Sequence, residues 1–200
     1  MTDPTKQGGP AVEGDALAVL EALVRRRRTN LRVDAERPVP EDLVRRLCEA
    51  ATWAPNHHRT WPWRFAALTG DARARLGAAL AAHLRAAQAP PEKVAKAEGK
   101  YLRAPVLLAV AVGHRPDDGP VRRAEDRDAV AAGVQNLLLA ATAAGLASYW
   151  GSGEVLGVPA VLELCGFAPT DTVVALIYLG YPLADVAAPP RPAPDLRFLA

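Results

Sequence analysis

The sequence predicts an α+β protein of one domain, with a single central sheet wrapped by helices. Three observations carry this. The chain has 200 residues, half of them hydrophobic, which is enough for one well-buried core without disulfides or metals. Its periodic segments run helix, helix, strand, helix, strand, helix, strand, helix, strand, without the strict alternation of a doubly wound fold. No glycine-rich turn follows the first strand, which argues against a Rossmann unit.

The elements follow in order. Residues 15–28 read as a helix with Asp15 as N-cap and Leu17, Leu20 and Val24 along one face. It ends in the run Arg25, Arg26, Arg27, Arg28. A second helix starts at Pro40, with Glu41 and Asp42 suiting the N-terminal dipole, and Pro55 stops it. Residues 63–69 read as a strand. Asp71 opens a helix with Leu76, Leu80 and Leu84 on one face, and a short helical segment follows near 92–102. PVLLAVAVG, from Pro105, is continuously apolar and reads as a strand buried on both faces. A long helix over about 124–144 ends at Gly145. A short strand at 146–150, a short helix from Pro159 to Leu164 and a last strand at 172–179 complete the set.

Residues 1–14 are polar, Gly- and Pro-rich and read as a disordered leader; residues 183–200 read as an extended tail. The domain is residues 15–182. Residues 129–153 carry no Asp, Glu, Lys or Arg. That length could span a bilayer. The Ala- and Gly-rich composition, the polar Gln135, Asn136, Thr142 and Ser148 and the stop at Gly145 point instead to a buried helix. A net charge of +2 gives no reason to expect nucleic acid or an anionic membrane as partner. Two cysteines, Cys48 and Cys165, fit a reducing cytoplasm and exclude a Cys-rich zinc site.

Three stretches could carry chemistry. Arg25 to Arg28 with Thr29 could grip a phosphate, or could be a solvated helix end. WAPNHHRTWPWRF, residues 53–65, could wall a planar ligand, or could be a Trp-rich turn that caps the core. His57 and His58 are adjacent, point apart and have no Glu or Cys at ligand spacing, so no metal is expected. YWGSG, residues 149–153, could bring backbone close to a flat ring, or could be a plain tight turn. No nucleophile signature and no acid–base set is visible, so no catalytic side chain is assigned. Redox chemistry carried by a cofactor fits by elimination.

Together these stretches resemble the nitroreductase family, in its small single-domain branch. The landmarks are Arg27-Arg28-Thr29, where the family has Arg-Arg-Ser; Ala54-Pro55-Asn56-His57 leading to Pro62-Trp63-Arg64-Phe65; VQNLLLAATAAGLASYWGSG; and Ile177-Tyr178-Leu179-Gly180-Tyr181-Pro182. The resemblance runs from Asp15 to Pro182. It implies a central, mostly antiparallel mixed sheet and a homodimer holding FMN at its two-fold interface, with NADH or NADPH as reductant. Carried over by position, Arg27, Arg28 and Thr29 hold the phosphate and ring oxygens, and Trp53 and His57 reach the flavin from the other subunit. Trp150, Gly151 and Ser152 line the ring. Ala140, Ala141, Thr142, Ala143, Ala144 and Gly145 match a segment associated with the nicotinamide nucleotide.

The chain departs from the branch at three positions. Trp53 and Gly151 stand where arginine is common, and Trp61 where glutamine is common. These changes imply a more apolar acceptor pocket. The reading is ping-pong reduction of nitroaromatics, quinones or similar flat acceptors. One alternative is a non-catalytic flavin-binding or flavin-handling protein of the same fold. Another is a nucleic-acid module using Arg25 to Arg28, against which the small net charge speaks.

Overall fold

The computed structural model describes residues 15–199; the leader expected over residues 1–14 lies outside the described residues. The helices are α1 (Ala16–Arg26), α2 (Glu41–Thr52), α3 (Asp71–Ala86), α4 (Pro91–Gly99), α5 (Pro120–Ala143) and α6 (Pro159–Cys165). The strands are β1 (Trp63–Leu68), β2 (Val106–Val112), β3 (Ala147–Gly151) and β4 (Thr172–Gly180). They form one sheet of order β1-β2-β4-β3. Every strand pair is antiparallel. The one parallel element among the described residues is an isolated bridge from Thr29 to Ser148.

Burial explains why this order forms. Every residue of β2 is buried, as expected of a continuous apolar run covered on both faces. On one face, Leu108, Val110, Ile177 and Leu179 pack with Leu47 and Ala51 of α2 and with Val134 and Leu137 of α5. On the other, Leu107, Ala109, Leu176 and Tyr178 pack with Leu76 and Leu80 of α3, Tyr101 and Val161 of α6. Gly133 lets α2 and α5 approach closely: a Cβ there would lie 2.6 Å from the Ala51 carbonyl oxygen and 2.7 Å from Trp63 Nε1. This contact fixes the end of α2, from which the loop 53–62 departs.

The helix starts obey local rules. Asp15 Oδ1 accepts a hydrogen bond from the Ala18 N–H at 3.1 Å, capping α1. α5 begins at Pro120, one turn before the expected residue 124, because proline after Gly119 is pre-set for the first helical turn. Its end is at Gly145, which has φ +76°. α6 is closed by Gly166 in the left-handed region. A 3₁₀ turn over Glu154–Gly157 was not legible in the sequence.

α1 behaves differently from the other helices. None of its residues is buried, and the stripe of Leu17, Leu20 and Val24, joined by Val19, is exposed. The expected apolar face therefore exists but is uncovered among the described residues. The uncharged stretch 129–153 is split between α5 and β3, and no helix among the described residues is long and apolar enough to cross a membrane.

Candidate functional site

The segment leaving α1 runs beside the start of β3, with the Asn30 N–H donating to the Ser148 carbonyl at 2.9 Å. Neighbouring residues of this extended segment point opposite ways. Arg28 is turned back: its Nη1 donates to the Arg27 carbonyl at 2.6 Å, and its Nη2 donates to the Arg25 carbonyl. It satisfies the open C-terminal end of α1. The Arg27 side chain makes no hydrogen bond or ion pair among the described residues. Its pKa lies below the ordinary arginine value, first because of burial, then because of the positive charges of Arg28 and Arg191. A half-buried guanidinium beside like charges, with no carboxylate partner, is a seat for an anion.

The sequence expectation assigned Arg27 and Arg28 the same role; the fold separates them. It also brings the charge of Arg191, in the tail, to bear on Arg27. The signal for it was present in Pro189-Pro190-Arg191-Pro192, a cation held extended by flanking prolines. The first part of the tail is held by its own chain: the Leu183 N–H donates to Arg32 O, and Asn30 Nδ2 donates to Ala184 O. The tail lacks helix or strand, yet its beginning is not free to leave, which limits any crossing to its distal residues.

Thr29 is exposed and pairs with Ser148; four residues further on, just past the end of β3 at Gly151, is Ser152. At about 3.3 Å per residue, Thr29 and Ser152 are about 13 Å apart along this edge. Ser152 and Gly153 border a cavity of about 530 Å³ whose wall includes Lys96, Lys100 and Arg103. Trp150 is 37% exposed and does not line this cavity. Gly151 is buried, and a Cβ on it would lie 3.0 Å from the Leu176 carbonyl oxygen and 3.1 Å from Tyr178 Cε2. Its missing side chain makes room for Leu176 and Tyr178 of β4.

The segment Ala140–Gly145 is divided as well. Ala141 is buried in the core. Thr142, Ala143 and Gly145 line a cavity of about 560 Å³ together with Arg25, Arg26, Arg28 and Asp185. Arg26 Nη2 donates to the Thr142 carbonyl at 3.0 Å, tying α1 to the end of α5. A cavity of about 590 Å³ between α2 and β1 is lined by Val39, Val44, Phe65 and Leu108 with Glu41 and Arg45, and contains none of the expected site residues.

Trp53 and His57 lie at the far end of α2. Trp53 is 81% exposed, and Trp61 is exposed too. No hydrogen bond, ion pair or ring contact among the described residues joins them to Arg27, Thr29 or Ser152. The loop carrying them is held in an unusual conformation: His58, Arg59 and Trp61 have φ of 61°, 52° and 53°. Each such residue costs on the order of 1–3 kcal/mol and persists only where its surroundings impose it. Here Asn56 Oδ1 accepts from the Trp61 N–H at 2.9 Å, Asn56 Nδ2 donates to Thr60 Oγ1 at 3.0 Å, and Thr60 Oγ1 donates to the buried Asp126.

A family model described as the nitroreductase family matches residues 24–181. This chain belongs to the nitroreductase family. Its relatives include YdjA of Escherichia coli K12, which bears a provisional name as an NAD(P)H nitroreductase. YdjA is 30% identical over 182 residues, covering 90% of this chain and 98% of YdjA. Among solved structures, the nitroreductase-like family protein of Bacillus cereus matches with a TM-score of 0.74 and 27% identity, over 87% of this chain and 91% of that one. A nitroreductase-type protein of Desulfovibrio desulfuricans, solved in complex with FMN, matches with a TM-score of 0.66 and 28% identity, over 86% and 91%. Among the described residues of this nitroreductase-family chain, Arg27 and the apolar face of α1 are left without partners.

Proposed function

We propose that this chain is an FMN-dependent oxidoreductase that uses NADH or NADPH to reduce nitroaromatics, quinones or similar flat acceptors, and that it works as a homodimer. The observation that carries the reading is Arg27, a half-buried cation with no partner among the described residues, flanked by Arg28 and Arg191 and two residues before Thr29, which lies about 13 Å along one sheet edge from Ser152. A mononucleotide with a doubly charged phosphate and a flat ring fits that arrangement.

FMN, when bound, accepts electrons from the nicotinamide and passes them to the acceptor. The residues of the chain then have separate tasks. Arg27 and Arg191 hold the phosphate by charge, and Thr29 offers a hydroxyl beside them. The Ser152 backbone N–H, at the free end of β3, donates toward the ring edge, and Trp150 covers part of it. Thr142 and Gly145, with Arg25 and Arg26 beside them, offer a cationic cavity for the phosphates of the nicotinamide nucleotide. Trp53 and His57 reach the partner's flavin. Their loop is rigid because Asp126 and Asn56 hold it, so the exposed indole is pre-positioned. The apolar residues of α1 are covered by the partner, and Leu196, Phe198 and Leu199, exposed at the end of the tail, cross to it.

The test is purification without added cofactor, followed by an absorption spectrum and light scattering. A flavin spectrum with one FMN per chain, on a dimer, is expected. Steady-state NADH and NADPH oxidation with a quinone and with a nitroaromatic then reads turnover. Flavin bound without turnover would establish a flavin-handling protein instead.

A further inference from the structure

Asp126, in the second turn of α5, is only 1% exposed. Oδ1 accepts from Thr60, while Oδ2 is buried without a hydrogen-bond partner. No arginine or lysine among the described residues pairs with it. His114, just beyond β2, has a buried Nδ1 that is also without a partner. Asp118, in the turn before α5, brings a second carboxylate. One ligand atom from each of His114, Asp118 and Asp126 lies within 4.8 Å of the other two. A buried carboxylate costs several kcal/mol unless it is paired or coordinates a metal. A second carboxylate at this distance adds repulsion. Two carboxylates and an imidazole with no cation among them form a donor set that a divalent ion would complete.

We propose that His114, Asp118 and Asp126 bind one divalent transition-metal cation, such as Zn²⁺, that anchors the loop 56–61 through Asp126 and Thr60. The imidazole selects against Mg²⁺ and Ca²⁺, which take oxygen ligands. Ligand atoms about 2.1 Å from a tetrahedral ion are about 3.4 Å apart, so closure needs side-chain movement of about 1 Å. Local spacing gave no hint of this site, because its members are contributed by a strand end, a turn and a helix. The exposed His57 and His58 and the half-buried Glu125 lie near one another too. They have no buried unpartnered atom and are the control.

The experiment uses the full, tag-free chain, stripped with a chelator and titrated calorimetrically with Zn²⁺ and, separately, Mg²⁺. Thermal melting is measured in parallel. The expected result is one Zn²⁺ per chain, at least tenfold tighter than Mg²⁺, and a rise in Tm of about 5–10 °C at a hundredfold excess over Kd. His114→Ala and Asp118→Asn each weaken Zn²⁺ at least tenfold and abolish the Tm rise. His58→Ala keeps both. Both ligand variants alter side chains at least partly open to solvent, so folding does not hinge on Asp126 itself. The proposal is overturned if the wild type does not bind Zn²⁺ at micromolar concentration, if both ligand variants bind as the wild type does, if His58→Ala removes binding, or if Mg²⁺ binds equally well.

Discussion

Arg27 and Arg28 are neighbours in sequence with opposite tasks in the fold, and a pair of alanine variants separates them. Arg27 has no partner among the described residues, so its guanidinium is available to a phosphate. Hydrogen bonds to charged groups are worth about 1.5–3 kcal/mol, so Arg27→Ala should weaken FMN by roughly 10- to 150-fold. The same change relieves repulsion from Arg28 and Arg191, so thermal stability of the flavin-free chain should hold or rise slightly. Arg28 donates to the carbonyls of Arg25 and Arg27 and closes the end of α1. Its side chain is half-buried, so a discounted loss of about 1 kcal/mol is expected for Arg28→Ala, which lowers Tm by about 2–4 °C in a chain of this size. FMN affinity should change less than about threefold, within about 0.6 kcal/mol. Fluorescence titration of FMN and thermal melting of flavin-free protein read the two effects. The reasoning is refuted if Arg28→Ala weakens FMN as strongly as Arg27→Ala, or if Arg27→Ala leaves FMN affinity unchanged.

Gly151→Arg should destabilise by about 1–3 kcal/mol, because even its Cβ meets the Leu176 carbonyl oxygen and the Tyr178 ring; thermal melting reads this, and a gain in acidic-acceptor turnover without loss of Tm would contradict it. Trp53→Ala, at an exposed position, should leave the Tm of the flavin-free chain within about 2 °C while raising KM for quinones, as steady-state kinetics would reveal. Burial pushes Tyr178 from 10 to about 12, and Tyr101 higher still. Both folded values exceed the unfolded one, so this stability is fully present below about pH 10 and is lost as pH rises toward 12 and beyond; for Tyr178 alone it amounts to about 3 kcal/mol, readable by urea unfolding at a series of pH values. Burial also raises the Cys48 and Cys165 thiols to about 11, so alkylation of the folded chain at pH 8 should run roughly a hundredfold slower than for an exposed thiol, and mass spectrometry after iodoacetamide would expose any faster site.

How much of the molecule was legible in the sequence depends on the range of the physics involved. Helix starts and stops are local: Asp15, Pro40, Gly145 and Gly166 each act on the turn they belong to, and each acts there in the fold. The buried strand β2 needed only its own unbroken apolar run. The family landmarks are likewise short segments, readable one at a time. Side-chain partnership is not local. Whether Arg28 holds a ligand or its own helix depends on a one-residue alternation beside Ser148, and whether Gly151 opens a pocket depends on where Leu176 and Tyr178 of β4 pass it. The apolar face of α1 was visible as a pattern, but only the packing of the remaining elements left it uncovered. Arg191 and Arg27 are 164 residues apart, Thr60 and Asp126 are 66 apart, and no period or spacing connects either pair. The sequence alone determined the elements, the family and the kinds of residue available for charge and stacking. The tertiary structure decided which of those residues remain unpartnered, because charge and burial are settled by neighbours in space, and those neighbours exist only once the chain has closed on itself.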